Sequence, residues 1–336
     1  MSEVFEKLAK EETDEHIRKL AENKKVAMLA IIAPYVPYRV SPHRIIYAEL
    51  ETPEEFGVES FILRAKKLNV KKLYMLLHSR GGVSSAYVIT KALRKYFNEI
   101  KVFIPQLAAS GATLIAIAAN EIVMREISRL SPIDVYVWGE EGGRSALALI
   151  RSFMKFNEIF ERTPPEDIPY PYKSLIESID PEELERMSGI LKEVESYALT
   201  LLKMANYPEE KAKEIAEKLV YGFHSHYEVI DYTRAKELGL HVTWYEKYED
   251  EWNLMRYWLG KYILRESPIH HILYTLPEAK NMKNKTLNEE EQNLIKFIKQ
   301  WSNLKVELKE IRKWQEIQIK PQDIKTLASL TKHTNH

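Results

Sequence analysis

The chain has 336 residues and balances 49 Lys and Arg against 49 Asp and Glu. That length allows one large domain or two ordinary ones with a substantial core, and the zero net charge argues against nucleic acid as the default partner. There is no cysteine, which excludes disulfides, thiolate metal sites and a cysteine nucleophile.

The N-terminal MSEVFEKLAKEETDEHIRKLAENKK is charged and helical in pattern, without the apolar core or small-residue cleavage site of a signal peptide. Residues 1–24 read as a helical lead-in. Two strand-like runs follow, KVAMLAIIA and RIIYAEL, around the turn-rich PYVPYRVSPH. Then the pattern alternates. ESFILRAKKL reads as helix, KKLYMLLHS as strand, SSAYVITKALRKYF as helix, EIKVFIPQL as strand, ATLIAIAA as helix and EIVM as a short strand. Strand and helix alternating at this spacing predict a mostly parallel sheet with crossover helices, an α/β fold. From 145 to 220 the pattern is helical, broken by the proline-rich RTPPEDIPYPYK. In DYTRAKELGLHV, Asp231 or Thr233 is placed to cap a helix and Gly239 to end it.

From 278 the composition turns polar, with 12 Lys and Arg against 8 Asp and Glu, and a long helix is expected over 287–315. The domain reading is 1–24 lead-in, 25–277 principal domain and 278–336 helical extension and tail. The apolar runs VAMLAIIAPYV and LAASGATLIAIAA fall short of the ~20 residues that span a bilayer. The expectation is a soluble, cytoplasmic protein, with peripheral membrane attachment left open. His270 and His271 stand side by side; on a helix, adjacent positions face different ways, so no metal site is expected there.

Two junctions carry the chemistry. In HSRGGVSS (78–85) an apolar strand runs into paired glycines and a helix starts at once, which leaves backbone N–H groups uncovered. In PQLAASGATLIA a second strand runs into Ala-Ala-Ser-Gly and a second helix. In a parallel sheet both junctions lie at the carboxyl ends of the strands, where sites collect. The amides of Gly82 and Gly111 could then receive a developing oxyanion while Ser110 attacks a carbonyl. Ala108, Ala109, Gly111 and Ala112 leave room for a substrate backbone. Taken alone, a serine at a helix start is more often an N-cap, and glycines after a strand more often a turn. The two segments together, in this order, favour the chemical reading.

HSRGGVSSAYVITKALRKYF, PQLAASGATLIAIAANEIVM and LSPID together resemble the Clp/crotonase-fold serine peptidases. The nearest likeness is to the SDH-family Clp-fold serine proteinases (ClpP-class periplasmic serine proteases), relatives of signal peptide peptidase A. The likeness covers about 56–134 and returns at 173–243. It implies a Clp/crotonase-like fold of repeated ββα units, a nucleophile at Ser110 and oxyanion amides at Gly82 and Gly111. It also implies substrate contacts around Gly81 and Val83, and an architectural or substrate-positioning role for Asp134. Arg80, Ala112 and Tyr227 depart from the family pattern. Arg80 would add charge at the mouth of the site.

The resemblance offers two bases. YPYKSLIESIDPEELERM places Lys173 where signal peptide peptidase A relatives carry a lysine, with Tyr170, Pro171, Tyr172 and Leu175 as apolar surroundings that would favour a neutral amine. Lys155, in SFMKFNEIF, is the fallback. FHSHYEVIDYTRAKELGL places His226 on the family histidine, but Tyr227 replaces the family aspartate, so only Glu228 or Asp231 is at hand to orient the ring. Lys173 is the preferred base. His78 is expected to be structural or at the rim.

The expected activity is hydrolysis of peptide bonds through an acyl-enzyme on Ser110, on peptide or protein substrates and without a cofactor. Two alternatives are a crotonase-type enzyme acting on acyl-coenzyme A and a non-catalytic scaffold. Family likeness also implies a homo-oligomer.

Overall fold

The computed structural model describes residues 12–277 except 36–37, 42–43, 140–141, 165, 178–179, 266 and 268. The expected helix at 287–315 and the first half of the lead-in lie outside the described residues.

Helix α1 (Glu12–Lys24) leads into strand β1 (Ala27–Ile32). The strand reads AMLAII and is buried along its whole length. A strand that is apolar at every position suits the inside of a sheet covered on both faces, and β1 lies inside the sheet between β4 and β12. A small antiparallel pair, β2 (Tyr38–Ser41) and β3 (Arg44–Ile46), follows. The run RIIYAEL therefore gives a strand that stops at Ile46.

Next come α2 (Thr52–Lys67), β4 (Lys72–His78), α3 (Val83–Tyr96) and β5 (Glu99–Phe103). The chain continues through β6 (Leu107–Ala108), α4 (Gly111–Ile117), β7 (Glu121–Met124) and β8 (Arg129–Leu130). A hairpin, β9 (Tyr136–Gly139) with β10 (Gly142–Ser145), precedes the helices α5 (Ala146–Arg162), α6 (Tyr170–Glu177), α7 (Pro181–Met204) and α8 (Glu209–Tyr221). The chain then forms α9 (Tyr232–Leu238), β11 (Val242–Trp244), α10 (Glu249–Tyr262) and β12 (His271–Thr275). Asp231 caps α9 by accepting the Arg234 N–H, and Gly239 ends it at φ 88°.

The main sheet has the order β11–β7–β5–β4–β1–β12. Every pairing in it is parallel except that of β12, which runs antiparallel on the β1 edge. This is the mostly parallel α/β sheet that the alternation predicts. The antiparallel edge strand and the β9–β10 hairpin were not expected. Both are short and polar or mixed in composition, and neither carries a strong period of its own. His270 and His271 sit before and at the start of β12, not on a helix.

The period of two along each strand divides the core. Leu29, Ile31, Leu73, Met75 and Leu77 belong to one layer, packed under Phe61 of α2, Leu93 of α3 and Leu191 of α7. Met28, Ala30, Ile32, Tyr74 and Leu76 belong to the other, packed against Ile17 of α1 and Trp252 and Met255 of α10. Each fully buried side chain of this size contributes ~1.5–3 kcal/mol of transfer free energy. The two layers thereby fix the strand ends from which the site is built.

Candidate active site

β5 ends at Phe103, and Pro105 breaks the run. The two-residue β6 then crosses to lie beside the end of β4. Ser79 and Ala108 form a parallel bridge, with the Ser79 N–H donating to Leu107 O and the Ala109 N–H donating to Ser79 O. The two junctions singled out in the sequence are thus hydrogen-bonded to each other.

Ser110 stands between β6 and α4 at φ 51°, ψ −119°. A positive φ in a non-glycine residue costs on the order of 1–3 kcal/mol and persists only where its surroundings enforce it. Here they do. The Ser110 N–H donates to Ser131 Oγ at 2.9 Å, and the Thr113 N–H donates to Ser110 O at 2.8 Å. The fully buried Thr113 hydroxyl lies 2.9 Å from Ala108 O and 2.8 Å from Ser131 O. Ser110 occupies the N-cap position of α4, yet its hydroxyl makes no cap hydrogen bond. The ordinary reason for a serine here is therefore absent. A hydroxyl held on a strained strand-to-helix turn is the geometry of a nucleophile elbow.

The glycines meet at this bend. A Cβ added to Gly111 would lie 2.8 Å from the carbonyl carbon and oxygen of Gly82 and 2.9 Å from its nitrogen. A Cβ on Gly82, at φ +116°, would lie 2.3 Å from Leu50 O. A Cβ on Gly81, at φ +141°, would lie 3.2 Å from Gly111 N and 3.4 Å from Ser110 Oγ. No side chain fits at Gly82 or Gly111, so the glycine backbones and the serine share one small space. Gly111 N–H is the first of α4 and Gly82 is the N-cap of α3. Neither amide donates to another group among the described residues. Ala112 is fully buried, and Val83 is half-buried against the core.

Asp134 lies in the 131–134 loop whose Ser131 holds the Ser110 amide. It is 2 % exposed. Its Oδ1 lies 2.7 Å from His226 Nδ1, and its Oδ2 accepts the Ser145 hydroxyl at 3.1 Å. Ser145 in turn caps α5 through the Ala148 N–H. The aspartate paired with His226 is therefore not one of the residues that follow it in sequence. Glu228 accepts the His224 N–H and pairs with Arg234, and Asp231 is the α9 cap. The partner comes from 92 positions upstream, a distance over which sequence spacing carries no signal. An ionised Asp134 only accepts, so Nδ1 carries the hydrogen and Nε2 is left as the basic nitrogen of a neutral ring. No described group takes that Nε2. Tyr136 and Tyr227 flank the ring, with centroids 4.9 and 5.4 Å from it.

Lys173 is half-buried on α6, with no hydrogen-bond or ion-pair partner among the described residues. Of the apolar surroundings expected for it, Tyr170 is 78 % exposed and Tyr172, whose ring packs on Phe156, is 37 % exposed; the Leu175 side chain lies outside the described residues. Lys155 is exposed on α5. Arg80 is exposed and lies over the Tyr47 ring at 4.7 Å. His78 is buried, not at the rim, and its Nδ1 has no partner among the described residues. Burial, with the nearby charges of Arg80 and Arg129, lowers its pKa to about 4. No group of three or more metal-ligating side chains occurs among the described residues.

Fold and site together define an α/β protein with a strained serine elbow and two uncovered glycine amides where two strand-to-helix bends meet. Residues 17–286 match the family of ClpP-like SDH-type serine proteinases, and the chain belongs to that family. Two uncharacterized proteins of Methanocaldococcus jannaschii are each 30 % identical to it over 184 residues, covering 51 % and 54 % of this chain. The matched part spans about half of those relatives, 54 % and 56 % of their lengths. Among solved structures, a mutant of the 1510-N membrane-bound stomatin-specific protease is similar at TM-score 0.38 and 13 % identity, covering 58 % of this chain and 74 % of that one. Another mutant of that protease, in complex with a substrate peptide, is similar at TM-score 0.38 and 14 % identity, covering 58 % and 71 %. An enoyl-CoA hydratase from Polaromonas sp. JS666 is similar at TM-score 0.30 and 13 % identity, covering 69 % and 77 %.

Proposed function

We propose that the protein is a serine peptidase in which Ser110 attacks the carbonyl of a peptide bond and the Gly82 and Gly111 amides stabilise the oxyanion. In this reading His226, oriented by Asp134, takes the Ser110 proton and returns it to the leaving amine. The observation that carries the reading is the Ser110 elbow, whose hydroxyl is freed from capping and lies 3.4 Å from where a Cβ on Gly81 would stand, beside the Gly82–Gly111 approach. His226 is favoured over Lys173 as the base because a buried carboxylate fixes its tautomer. That carboxylate also stands three residues from the hydroxyl that holds the Ser110 amide. The substrate is a peptide or exposed protein segment, with Gly81 and Val83 beside its backbone, and no cofactor enters the chemistry. Homo-oligomeric assembly is part of the proposal by family likeness, and light scattering of the full chain tests it.

The deciding experiment is labelling with a fluorophosphonate and mapping of the modified residue. The adduct is expected on Ser110. Ser110→Ala is expected to abolish labelling and to lower peptide hydrolysis by about a thousandfold or more. Hydrolysis by Ser110→Ala at the wild-type rate would overturn the reading.

A further inference from the structure

A second hydroxyl–imidazole–carboxylate chain lies beneath the glycine bend. Ser79 Oγ is 2.8 Å from His270 Nε2, and His270 Nδ1 is 3.2 Å from Glu54 Oε1, which also accepts the His270 N–H at 2.9 Å. Ser79, His270 and Glu54 are 0 %, 3 % and 1 % exposed, so no substrate reaches this serine. Although burial pushes the Glu54 carboxyl up, its hydrogen bonds from His270 and from the Glu51 N–H hold it below the ordinary value. An ionised Glu54 requires a hydrogen on Nδ1. A neutral ring then accepts the Ser79 hydroxyl at Nε2 and leaves the Ser79 oxygen to accept from elsewhere. The donor is the Gly81 N–H, at 3.3 Å.

The chain closes on itself. The Glu51 N–H donates to Glu54 Oε2 at 3.0 Å, in the capping box that starts α2. Leu50, covalently joined to Glu51, donates its N–H to Gly81 O at 2.8 Å. The carbonyl of Gly81 and the N–H of Gly82 belong to one trans peptide and point in opposite directions. Pinning the carbonyl to Leu50 therefore turns the Gly82 N–H away from Leu50, in the residue whose backbone lies against Gly111.

We propose that the closed ring Leu50–Glu51–Glu54–His270–Ser79–Gly81 sets the orientation of the Gly81–Gly82 peptide, making Ser79, His270 and Glu54 positioning residues for the Gly82 oxyanion donor. The proposal rests on the peptidase reading above. A flipped peptide at this point would replace a donor by a carbonyl and leave the oxyanion half-supported. A ring closed through α2, β4 and the start of β12 opposes the flip from both sides of Gly81.

The test uses the full chain. Ser79→Ala is expected to lower kcat for a fluorogenic peptide by about tenfold or more, with KM within about twofold. Affinity for a peptide boronate should fall by the same factor as kcat/KM, while affinity for the uncleaved peptide in a Ser110→Ala background stays unchanged. Glu54→Gln keeps the side-chain shape and is expected to give a smaller fall with the same pattern, so it carries the test if Ser79→Ala does not fold. Unchanged kcat in folded Ser79→Ala, or equal losses of substrate and boronate affinity, would overturn the ring's role. If the wild type is not labelled by fluorophosphonate, the peptidase reading fails by itself. The ring is then judged by the Gly82 amide resonance, which shifts in Ser79→Ala if the ring holds that peptide and stays in place if it does not.

Discussion

Two histidines in this protein are pinned through Nδ1 by buried carboxylates, and they end differently. His270 spends its Nε2 on Ser79 inside a ring sealed from solvent. His226 is 15 % exposed at its side chain, and no described group takes its Nε2. A carboxylate-pinned imidazole is therefore closed on a hydroxyl in one region and keeps an unclaimed Nε2 in the other, where the proposed reading uses it as the base. What separates them is access. A hydrogen bond completed inside the core stabilises a conformation, whereas a basic nitrogen left unclaimed and partly exposed can move a proton.

The comparison is broken most directly at the carboxylates. Asp134→Asn is expected to cost on the order of a thousandfold in kcat, because the amide no longer selects the productive His226 tautomer. His226→Ala should cost at least as much. Glu54→Gln should fall well short of either. Equal losses at Asp134 and Glu54 would show that the two regions do the same work. The measurements are kcat and KM for one peptide across the set.

A third imidazole tests how well sealed the buried region is. His78 has its pKa lowered from 6.5 to about 4 by burial and its cationic neighbours. In that window the unfolded chain holds a proton that the folded one rejects. Stability is therefore greatest above pH 6.5 and falls as pH drops toward 4, by about 3 kcal/mol in total. Urea melts between pH 4 and 7 are expected to show this slope in the wild type and a flatter one in His78→Asn. An identical slope in both would mean that the ring titrates in contact with water.

The smallest expected effect is at Lys173. Tyr170 and Tyr172 are exposed and it has no described partner, so Lys173→Ala should leave kcat within about twofold of wild type. A loss comparable to that of His226→Ala would return the base to the lysine.

Much of this was legible residue by residue. The apolar runs KVAMLAIIA and KKLYMLLHS announced strands, and HSRGG and LAASGA announced tight bends with exposed amides. Ser110 stood out because a hydroxyl at the head of an apolar helix needs a reason. The SPID segment drew attention to Asp134 without revealing its partner, and Tyr227 diverted the search for an acid toward Glu228 and Asp231. Ser131 and Thr113, which enforce the elbow, gave no stronger signal than any small polar residue near a motif. The adjacent His270 and His271 were read only as neighbours facing different ways, with no role assigned to either, and of the two His270 alone belongs to the ring.

Periodicity, glycine placement and the lone hydroxyl come from local sterics and from which side chains water rejects, so the sequence by itself determined the parallel sheet, the two bends and Ser110. Which carboxylate meets which imidazole was decided only in three dimensions. Asp134 and His226 are 92 positions apart, and Glu54 and His270 are 216 apart. Such pairings depend on the order in which strands stack in the sheet, and that order is settled by the packing of both core layers at once.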